Sequence, residues 1–496
     1  MLRRDDIPIL LLGLLLAGVL FVLRSAGQTP DGLSYAIAVR DGVDVCHPHH
    51  LLHGPVTRLI HLATGRGDPL VAGVLHNLVF LVVLGVAAKR LAQGLGAGAA
   101  GATLAAAVLL ATRGVVFYAT HVETYLPALA ALTGFAAAWR GRAERPGPAA
   151  AWLVLAVLYH QTNVLAVVPA LAASSRRRAD LRAVLVPAGL VVWATYVAVW
   201  GFTGVREGLF AWLTGYVRAD VPAWGSFGHF GPAGLRDLGL NQLRMVLPVP
   251  ASLAGPAALA FFAGLALLAA VNLRAPTRRA DRRFHLVFLA VYLLFFLWWI
   301  PADPDFFLAT LLPLGALGLL AVGDLPPWGR GRWWAIPAGV LLAGNLAFVA
   351  VPMHRDPGPT RAVARALAAA APADAVLVVG YGVQQELLYA GRRTPVYEGD
   401  ELGWNLAQGR IEPPAPPVAI GADYAGLLLS RASDTDAHLL RTLTGFVPGD
   451  GNERATWRRP QTLPGNVGLL FGAARDSVAD WPAAVSALRA AVRGTP

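Results

Sequence analysis

Residues 25–61 read SAGQTPDGLSYAIAVRDGVDVCHPHHLLHGPVTRLIH and separate two strongly apolar segments. Irregular polar backbone does not face lipid, so we interpret this stretch as the first loop outside the membrane. Its titratable side chains include Asp31, Arg40, Asp41, Asp44, His47, His49, His50, His53 and Arg58. Acids, bases, metal-ligand types and anion-binding charges thus share one short run, as in an active site. For each residue alone, the alternative is a helix cap, a turn or a solvated surface position.

The composition predicts an α-helical polytopic membrane protein. The 496 residues are 56% hydrophobic and 14% charged, and apolar runs of membrane-spanning length recur along the chain. The net charge of +11 comes from short basic clusters between these runs, which are typical of cytoplasmic loops facing anionic lipid. We therefore expect the lipid bilayer, and no nucleic acid, as a partner. Cys46 is the single cysteine, which excludes an intrachain disulfide and a cysteine-based zinc site.

The basic clusters also predict the topology of the transmembrane domain, residues 1–353. Arg3 and Arg4 precede the apolar run 7–23, which we interpret as an uncleaved anchor with a cytoplasmic N-terminus. Following the positive clusters along the chain gives about eleven crossings. Every acid-rich loop, including the turn TRGVVFYATHVETY at 112–125, then lies outside, as does the C-terminus.

Residues 148–175 are apolar but lie between two basic clusters, RGRAERP at 140–146 and SRRRADLR at 175–182. One crossing would place one cluster outside, so we predict two short segments with Tyr159 to Asn163 at their apex. Polar, irregular backbone at membrane depth usually lines a cavity, which makes His160 and Asn163 candidate substrate-binding residues. The alternative is one long span with a buried, hydrogen-bonded histidine.

Residues 354–496 have the composition of a small soluble α/β domain, which we place outside the membrane. PTRAVARALAAAAP and VQQELLYA predict helices, and AVLVVG and TPVY predict strands, in βαβ-like succession. GLLLS predicts a further strand, while DTDAHLLRTLTG and WPAAVSALRAAVRG predict further helices. VVGYG lacks the GxGxxG spacing and is no nucleotide-binding fingerprint.

Three motifs carry a resemblance to a known family: PDGLSY after the first span, HVETYLPAL before a later span, and LYHQTN at the predicted apex. With the predicted topology, they make residues 1–353 resemble the GT-C superfamily of glycosyltransferases, which includes protein O-mannosyltransferases and aminoarabinose transferases. The paired acids common in the first loop of these families are here a lone Asp31 after Pro30. The resemblance implies sugar transfer from a polyprenyl-phosphate donor to a glycan, lipid or protein acceptor, on the outer face of the bacterial inner (plasma) membrane.

Within this reaction, Asp31 is the candidate general base, because an acceptor hydroxyl is a poor nucleophile, and Glu123 is a second candidate catalytic acid. The departing lipid phosphate needs positive charge, for which the guanidinium fork is well suited. The candidate arginines are Arg40, Arg58 and Arg113.

No cofactor is firmly implied, but a divalent metal ion is one alternative. His121 and Glu123, together with a first-loop histidine such as His49, could hold zinc or manganese. In the other interpretation, His121 and Glu123 position the acceptor or the lipid phosphate without an ion. Asp303 and Asp305 in PADPDFF are a further acidic contact or an ordinary turn.

Two other classes of function remain open. A transporter or flippase of a lipid-linked or polar substrate would suit His160 and Asn163 at a discontinuous helix. Against it, the sequence has no internal repeat in its membrane part, and its polar residues crowd the outer face. A non-catalytic envelope scaffold would be indicated if Asp31 and Glu123 were both replaceable.

Overall fold

The computed structural model describes residues 3–204, 208–214, 228, 230–323, 335–370, 376–392, 394–399, 418–421, 456–457, 461–463 and 467–473. The chain forms two compact units. The first comprises Met1–Ser25 and Ala38–Arg355, and the second comprises Ala26–Ile37 and Asp356–Pro496. The strand predicted at GLLLS and the helices predicted at DTDAHLLRTLTG and WPAAVSALRAAVRG lie outside the described residues.

The described part of the first unit is helical. Its helices are α1 Ile7–Val22, α2 Pro30–Asp41 (which begins in the second unit), α3 His53–Ala63, α4 Pro69–Gly94, α5 Ala99–Leu110, α6 Arg113–Thr120, α7 Tyr125–Trp139, α8 Pro146–Tyr159, α9 Val167–Ala173, α10 Arg177–Asp180, α11 Val186–Thr203, α12 Pro232–Arg244, α13 Ala254–Arg274, α14 Arg279–Trp299, α15 Leu311–Gly323, α16 Ala335–Asn345 and α17 Val351–Arg355. Short 3-10 helices precede four of these helices, at Arg4–Asp6, Gln161–Ala166, Ala251–Leu253 and Asp305–Thr310, and π-helical turns lie at Leu181–Leu185 and Leu346–Ala350.

These helices make the chain an integral membrane protein. Within the described residues, six helical segments are long and apolar enough to cross a bilayer, and a seventh counts if α5 and α6, bent by 62°, form one span. Three shorter apolar helical segments follow at 125–139, 146–159 and 161–173. Large apolar side chains such as Leu15 on α1 and Leu190 on α11 are exposed, as expected for lipid-facing positions. The count of eleven crossings remains a prediction.

The predicted cytoplasmic clusters meet in one layer of ion pairs, here called the basic layer. Its pairs are Lys89–Asp5 at 3.3 Å, Arg140–Asp281, and Arg142–Asp180 at 2.7 Å. The last pair joins the two basic clusters that flank residues 146–173, and Ser174 also donates to Asp180. Both clusters therefore lie at the same end of the unit, as the paired-segment interpretation predicts.

The described residues of the second unit include helices α18 Pro359–Ala370 and α19 Tyr381–Tyr389. Its strands are β1 Val376–Val379, β2 Val396–Glu398, β3 Val418–Gly421, β4 Thr456–Trp457, β5 Gln461–Leu463 and β6 Val467–Ala473. The main path of the sheet is β2-β1-β3-β6-β4, with β5 paired to β6. Strand β1 is buried along its length and pairs parallel with β2 and β3. The predicted helix–strand–helix–strand order of 359–398 is thus present, while the domain boundary at 353/354 and the complete α/β domain remain predictions.

Two stretches interpreted as loops contain helices. Residues 25–61 contain α2 and α3, and α2 begins where the Thr29 hydroxyl accepts from the backbone N–H of Gly32 at 3.0 Å. A capping threonine followed by proline in the first turn is a helix start signal, which the concentration of polar residues obscured. The turn at 112–125 likewise contains α6.

Candidate active site

The helix break at His160 is the starting point of the site. Helix α8 ends at Tyr159, His160 is extended, and a 3-10 helix begins at Gln161. The Asn163 side chain donates to Ala156 O at 2.9 Å and accepts from the Tyr292 hydroxyl at 3.1 Å, so its polar atoms are satisfied within the protein. At about 1.5 Å per residue, the length of α8 places the break roughly 20 Å from the basic layer.

A small cavity adjoins this break. Its lining residues are Tyr125, Ala128, Leu129, Leu132, His160, Thr162, Asn163, Phe296, Phe306, Leu308 and Ala309. His160 is 5% exposed, and its Nδ1 shares a 2.6 Å hydrogen bond with the Thr162 hydroxyl. Its buried Nε2 has no hydrogen-bond partner among the described residues. A buried polar atom without a partner is costly, so this nitrogen offers a ligand a hydrogen-bonding position.

Acidic and aromatic side chains form a cluster next to the cavity. The Tyr118 hydroxyl donates to Asp305 Oδ1, and the Tyr125 ring lies 5.3 Å from the Tyr118 ring and 5.2 Å from the His160 ring. We call Tyr118, Tyr125, His160 and Asp305 the apex group. Asp303 accepts from the backbone N–H of Asp305 at 3.0 Å, so it serves the turn that presents Asp305.

Positive charge lies beside the apex group. Arg113 interacts electrostatically with Asp305, Tyr118 and Arg244. Its Nη1 donates to the backbone carbonyl of Arg244 at 3.0 Å, and its backbone N–H donates to Val246 O. Two half-buried arginines, Arg113 and Arg244, are thereby fixed close together. Such a pair provides the charge that an anionic group requires.

The other two predicted arginines contact their own segment. Arg40 forms an exposed ion pair with its neighbour Asp41 at 2.7 Å. Arg58 donates from Nη1 to Val39 O at 2.6 Å and lies against Gly42, whose φ of 75° is left-handed. Of the three predicted phosphate-binding arginines, Arg113 is the one whose described contacts adjoin the apex group.

His121 and Glu123 lie in the extended link between α6 and α7, and both are buried. The His121 ring stacks on Phe117 at 4.1 Å, and its Nδ1 donates to Phe117 O at 2.8 Å. Glu123, 1% exposed, acts electrostatically on Tyr118. Both residues of HVETYLPAL therefore lie near the apex group.

A metal-ligand set is not assembled in the described residues, where no three His, Cys, Asp or Glu side chains form a group suited to an ion. His49 hydrogen-bonds through Nδ1 to the Gln161 side chain, and His121 to Phe117 O. The set His49, His121 and Glu123 remains a prediction.

The histidines beside the break are held neutral. His50 lies 4.8 Å from His160 between ring centroids, and the backbone N–H of Gln161 donates to His49 O. Burial, reinforced by the neighbouring His47 and His160, lowers the pKa of His49 to about 3. Burial also lowers the pKa of His50 well below its usual value. These rings therefore offer hydrogen bonds rather than positive charge at neutral pH.

Asp31 belongs to the second unit and lies in the first turn of α2. Its Oδ1 accepts from the Tyr381 hydroxyl at 3.0 Å, and Thr29 caps the helix instead. Burial raises the pKa of the Asp31 carboxyl, and the hydrogen bond from Tyr381 opposes this shift.

Sequence reasoning missed several members of these groups, namely Tyr118, Arg244, Tyr292, Phe306 and Tyr381. Tyr118 and Phe306 adjoin the motifs already singled out, so proximity to HVETY and PADPD was a usable signal. Arg244 and Tyr381 are distant in sequence from their partners, and nothing local marks them.

No family model and no curated protein matches the sequence. Solved structures do match its fold. ArnT from Cupriavidus metallidurans bound to undecaprenyl phosphate aligns with a TM-score of 0.56 and 13% identity, over 96% of this chain and 99% of that one. The apo form of ArnT from the same organism gives 0.56 and 14%, over 94% and 97%. Arabinofuranosyltransferase AftD from Mycobacteria gives 0.51 and 15%, over 96% of this chain and 40% of that one.

At these identities the likeness shows the fold, which the chain shares with ArnT and with part of arabinofuranosyltransferase AftD.

Proposed function

We propose that the chain is a membrane glycosyltransferase that moves a sugar from a polyprenyl-phosphate carrier to an acceptor on the extracytoplasmic face. The observation that carries this proposal is the buried Nε2 of His160, which has no hydrogen-bond partner among the described residues and belongs to a side chain that lines the cavity. Arg113 interacts electrostatically with Asp305 of the same apex group. The GT-C fold supports the reaction class, and the ArnT structure with bound undecaprenyl phosphate supports a carrier of that chemical type.

The proposed donor site follows from the charges. Arg113 and Arg244 bind the phosphate, because guanidinium groups hold phosphate oxygens through paired hydrogen bonds and stabilise the charge that develops on departure. His160 and Asn163 line the cavity that receives the neighbouring part of the donor. Because His49 and His50 are neutral, they supply no positive charge to the phosphate. The two arginines supply it. Arg40 and Arg58 remain second candidates.

The proposed chemistry is a single displacement. Asp31, as general base, accepts the proton of the acceptor hydroxyl while the acceptor oxygen forms a bond to the anomeric carbon. The bond between that carbon and the phosphate oxygen breaks, and its electron pair leaves with the polyprenyl phosphate. Glu123 is the second proposed acid and positions the acceptor.

The proposed setting is the bacterial inner membrane. The basic layer faces the cytoplasm together with the N-terminus, in agreement with the positive-inside rule. With eleven crossings, residues 354–496 form an extracytoplasmic α/β domain, and the acceptor is a glycan, lipid or protein on that side.

The test is an assay of membranes containing the protein with labelled polyprenyl-phosphate sugars. Label that moves into lipid, polysaccharide or protein supports the proposal and identifies the acceptor class. Label that stays on the carrier with every donor tried contradicts it.

The second candidate is a transporter or flippase, favoured by the discontinuous helix at His160. In sealed vesicles, this function would move the labelled carrier to the opposite leaflet without a change in its covalent structure.

A further inference from the structure

The segment that carries Asp31 belongs to the C-terminal unit, although it follows the first membrane helix in sequence. Arg361 on α18 donates from Nη1 to the backbone carbonyl of Ala26 at 2.6 Å. Gly27 packs so closely on Pro357 that a Cβ at position 27 would clash with the Pro357 carbonyl oxygen. These contacts hold residues 26–37 in the second unit across more than 300 residues of sequence.

A polar contact within this unit is aimed at the carboxylate. Tyr381 is the first residue of α19, directly after β1, and its hydroxyl donates to Asp31 Oδ1 at 3.0 Å. Arg361 of α18 pairs with Glu386 of α19 at 3.1 Å, so this arginine is engaged by another carboxylate. Helix capping does not require Asp31, because Thr29 performs it.

We propose that Tyr381 is a positioning residue for Asp31 and that the C-terminal unit serves the reaction by holding this carboxylate. The inference rests on the proposed function, in which Asp31 is the base. A tyrosine hydroxyl that binds Oδ1 fixes the plane of the carboxylate and directs Oδ2 to the acceptor. During transfer, Oδ2 receives the acceptor proton while the hydrogen bond from Tyr381 stabilises the carboxylate form that must be present beforehand.

The hydrogen bond also has an electrostatic consequence. It favours the ionised form of Asp31, opposing the burial that raises the pKa of this carboxyl. Removing the hydroxyl therefore raises the pKa further, and the base is protonated over a wider acidic range. A purely structural contact would lower activity without moving this limb of the pH profile.

The experiment compares Tyr381→Phe with wild type in the labelled-donor assay across pH, in both the native and the Asp31→Asn background. We expect Tyr381→Phe to reduce kcat about 10- to 100-fold near neutral pH, as for a hydrogen bond to a charged group, and to shift the acidic limb of kcat to higher pH. In the Asp31→Asn background, the same substitution should have no further effect. Tyr389→Phe, at the other end of α19, is the matched control and should leave the limb in place.

An unmoved acidic limb in Tyr381→Phe, or an equal loss in both backgrounds, would overturn the positioning role while leaving Asp31 as the base. Near-normal turnover of Asp31→Asn itself would instead remove the base assignment of the proposed function. The two failures are therefore distinguishable.

Discussion

At the scale of single residues, His160 offers the sharpest test of the cavity. Phenylalanine in its place keeps a ring against Tyr125 and His50 but removes the buried Nε2, together with the hydrogen bond between Nδ1 and Thr162. If this nitrogen binds the donor, His160→Phe should raise the KM for the donor about 10- to 100-fold, the effect of one lost hydrogen bond in a buried site. The measurement is initial-rate kinetics with the labelled donor.

The matched control is His285→Phe. His285 is also buried, but it lies on α14 near Arg140 in the basic layer. Its replacement should leave the donor KM unchanged. Equal increases in KM for both variants would attribute the effect to general loss of packing.

The lowered pKa of His49 leads to a prediction about the stability of the protein in acid. Its folded pKa is about 3, whereas an unfolded histidine titrates near 6.5, so the unfolded state binds more protons between these values. Stability should therefore fall as the pH drops below about 6.5, by up to about 1.4 kcal/mol per pH unit for each such histidine. Melting temperatures of the purified protein from pH 7.5 to 4 test this. His49→Asn should flatten the dependence, and an unchanged slope would contradict the assignment.

At the scale of elements, the approach of α4 to the link between α6 and α7 can be tested at Gly73. A Cβ there would lie 2.5 Å from Val122 Cγ1, between His121 and Glu123. Gly73→Ala should destabilise the protein by about 1–3 kcal/mol, as overpacking does, and should lower turnover. Gly18→Ala on α1 is the control, since nothing lies within 4 Å of its Cβ position. Equal melting temperatures for both variants would argue against this packing.

The α8–α9 hairpin predicts a labelling pattern in a Cys46→Ser background. Ala143 and Arg178 are both exposed and lie beside the Arg142–Asp180 ion pair. In intact cells, an impermeant thiol reagent should label neither Ala143→Cys nor Arg178→Cys, and should label both after permeabilisation. Val43→Cys, in the first outside segment, should react without permeabilisation. External labelling of Arg178→Cys but not Ala143→Cys would replace the hairpin with a single crossing.

The same elements explain why part of the structure was predictable. Two basic clusters around a 28-residue apolar run cannot be reconciled with one crossing, so local sequence implied the break at LYHQTN, and the structure has it. The alternation of VLVV, VQQELLY and PVY likewise implied parallel strands around a helix. In contrast, the polar character of residues 25–61 concealed α2, because the capping signal at Thr29 and Pro30 was outweighed by the surrounding charges.

At the scale of the whole molecule, the unpredicted features are pairings between distant segments. Arg113 meets Arg244 across 131 residues, and Arg361 meets Ala26 across 335. Such contacts arise from the packing of complete helices and leave no periodicity in either segment. The assignment of residues 26–37 to the C-terminal unit was inaccessible to sequence reasoning for this reason.

The central claim, that the chain transfers a sugar with Asp31 as base, is tested most directly by single-turnover transfer from a labelled polyprenyl-phosphate sugar. Wild type and Asp31→Asn are compared, with Asp41→Asn and Asp44→Asn as controls. Asn retains the shape of Asp but cannot accept the proton, so Asp31→Asn should fold and bind donor while transferring label about 10²- to 10⁴-fold more slowly. The controls should transfer at near-normal rates. Near-normal transfer by Asp31→Asn, or no transfer from any donor by folded wild type, would contradict the account.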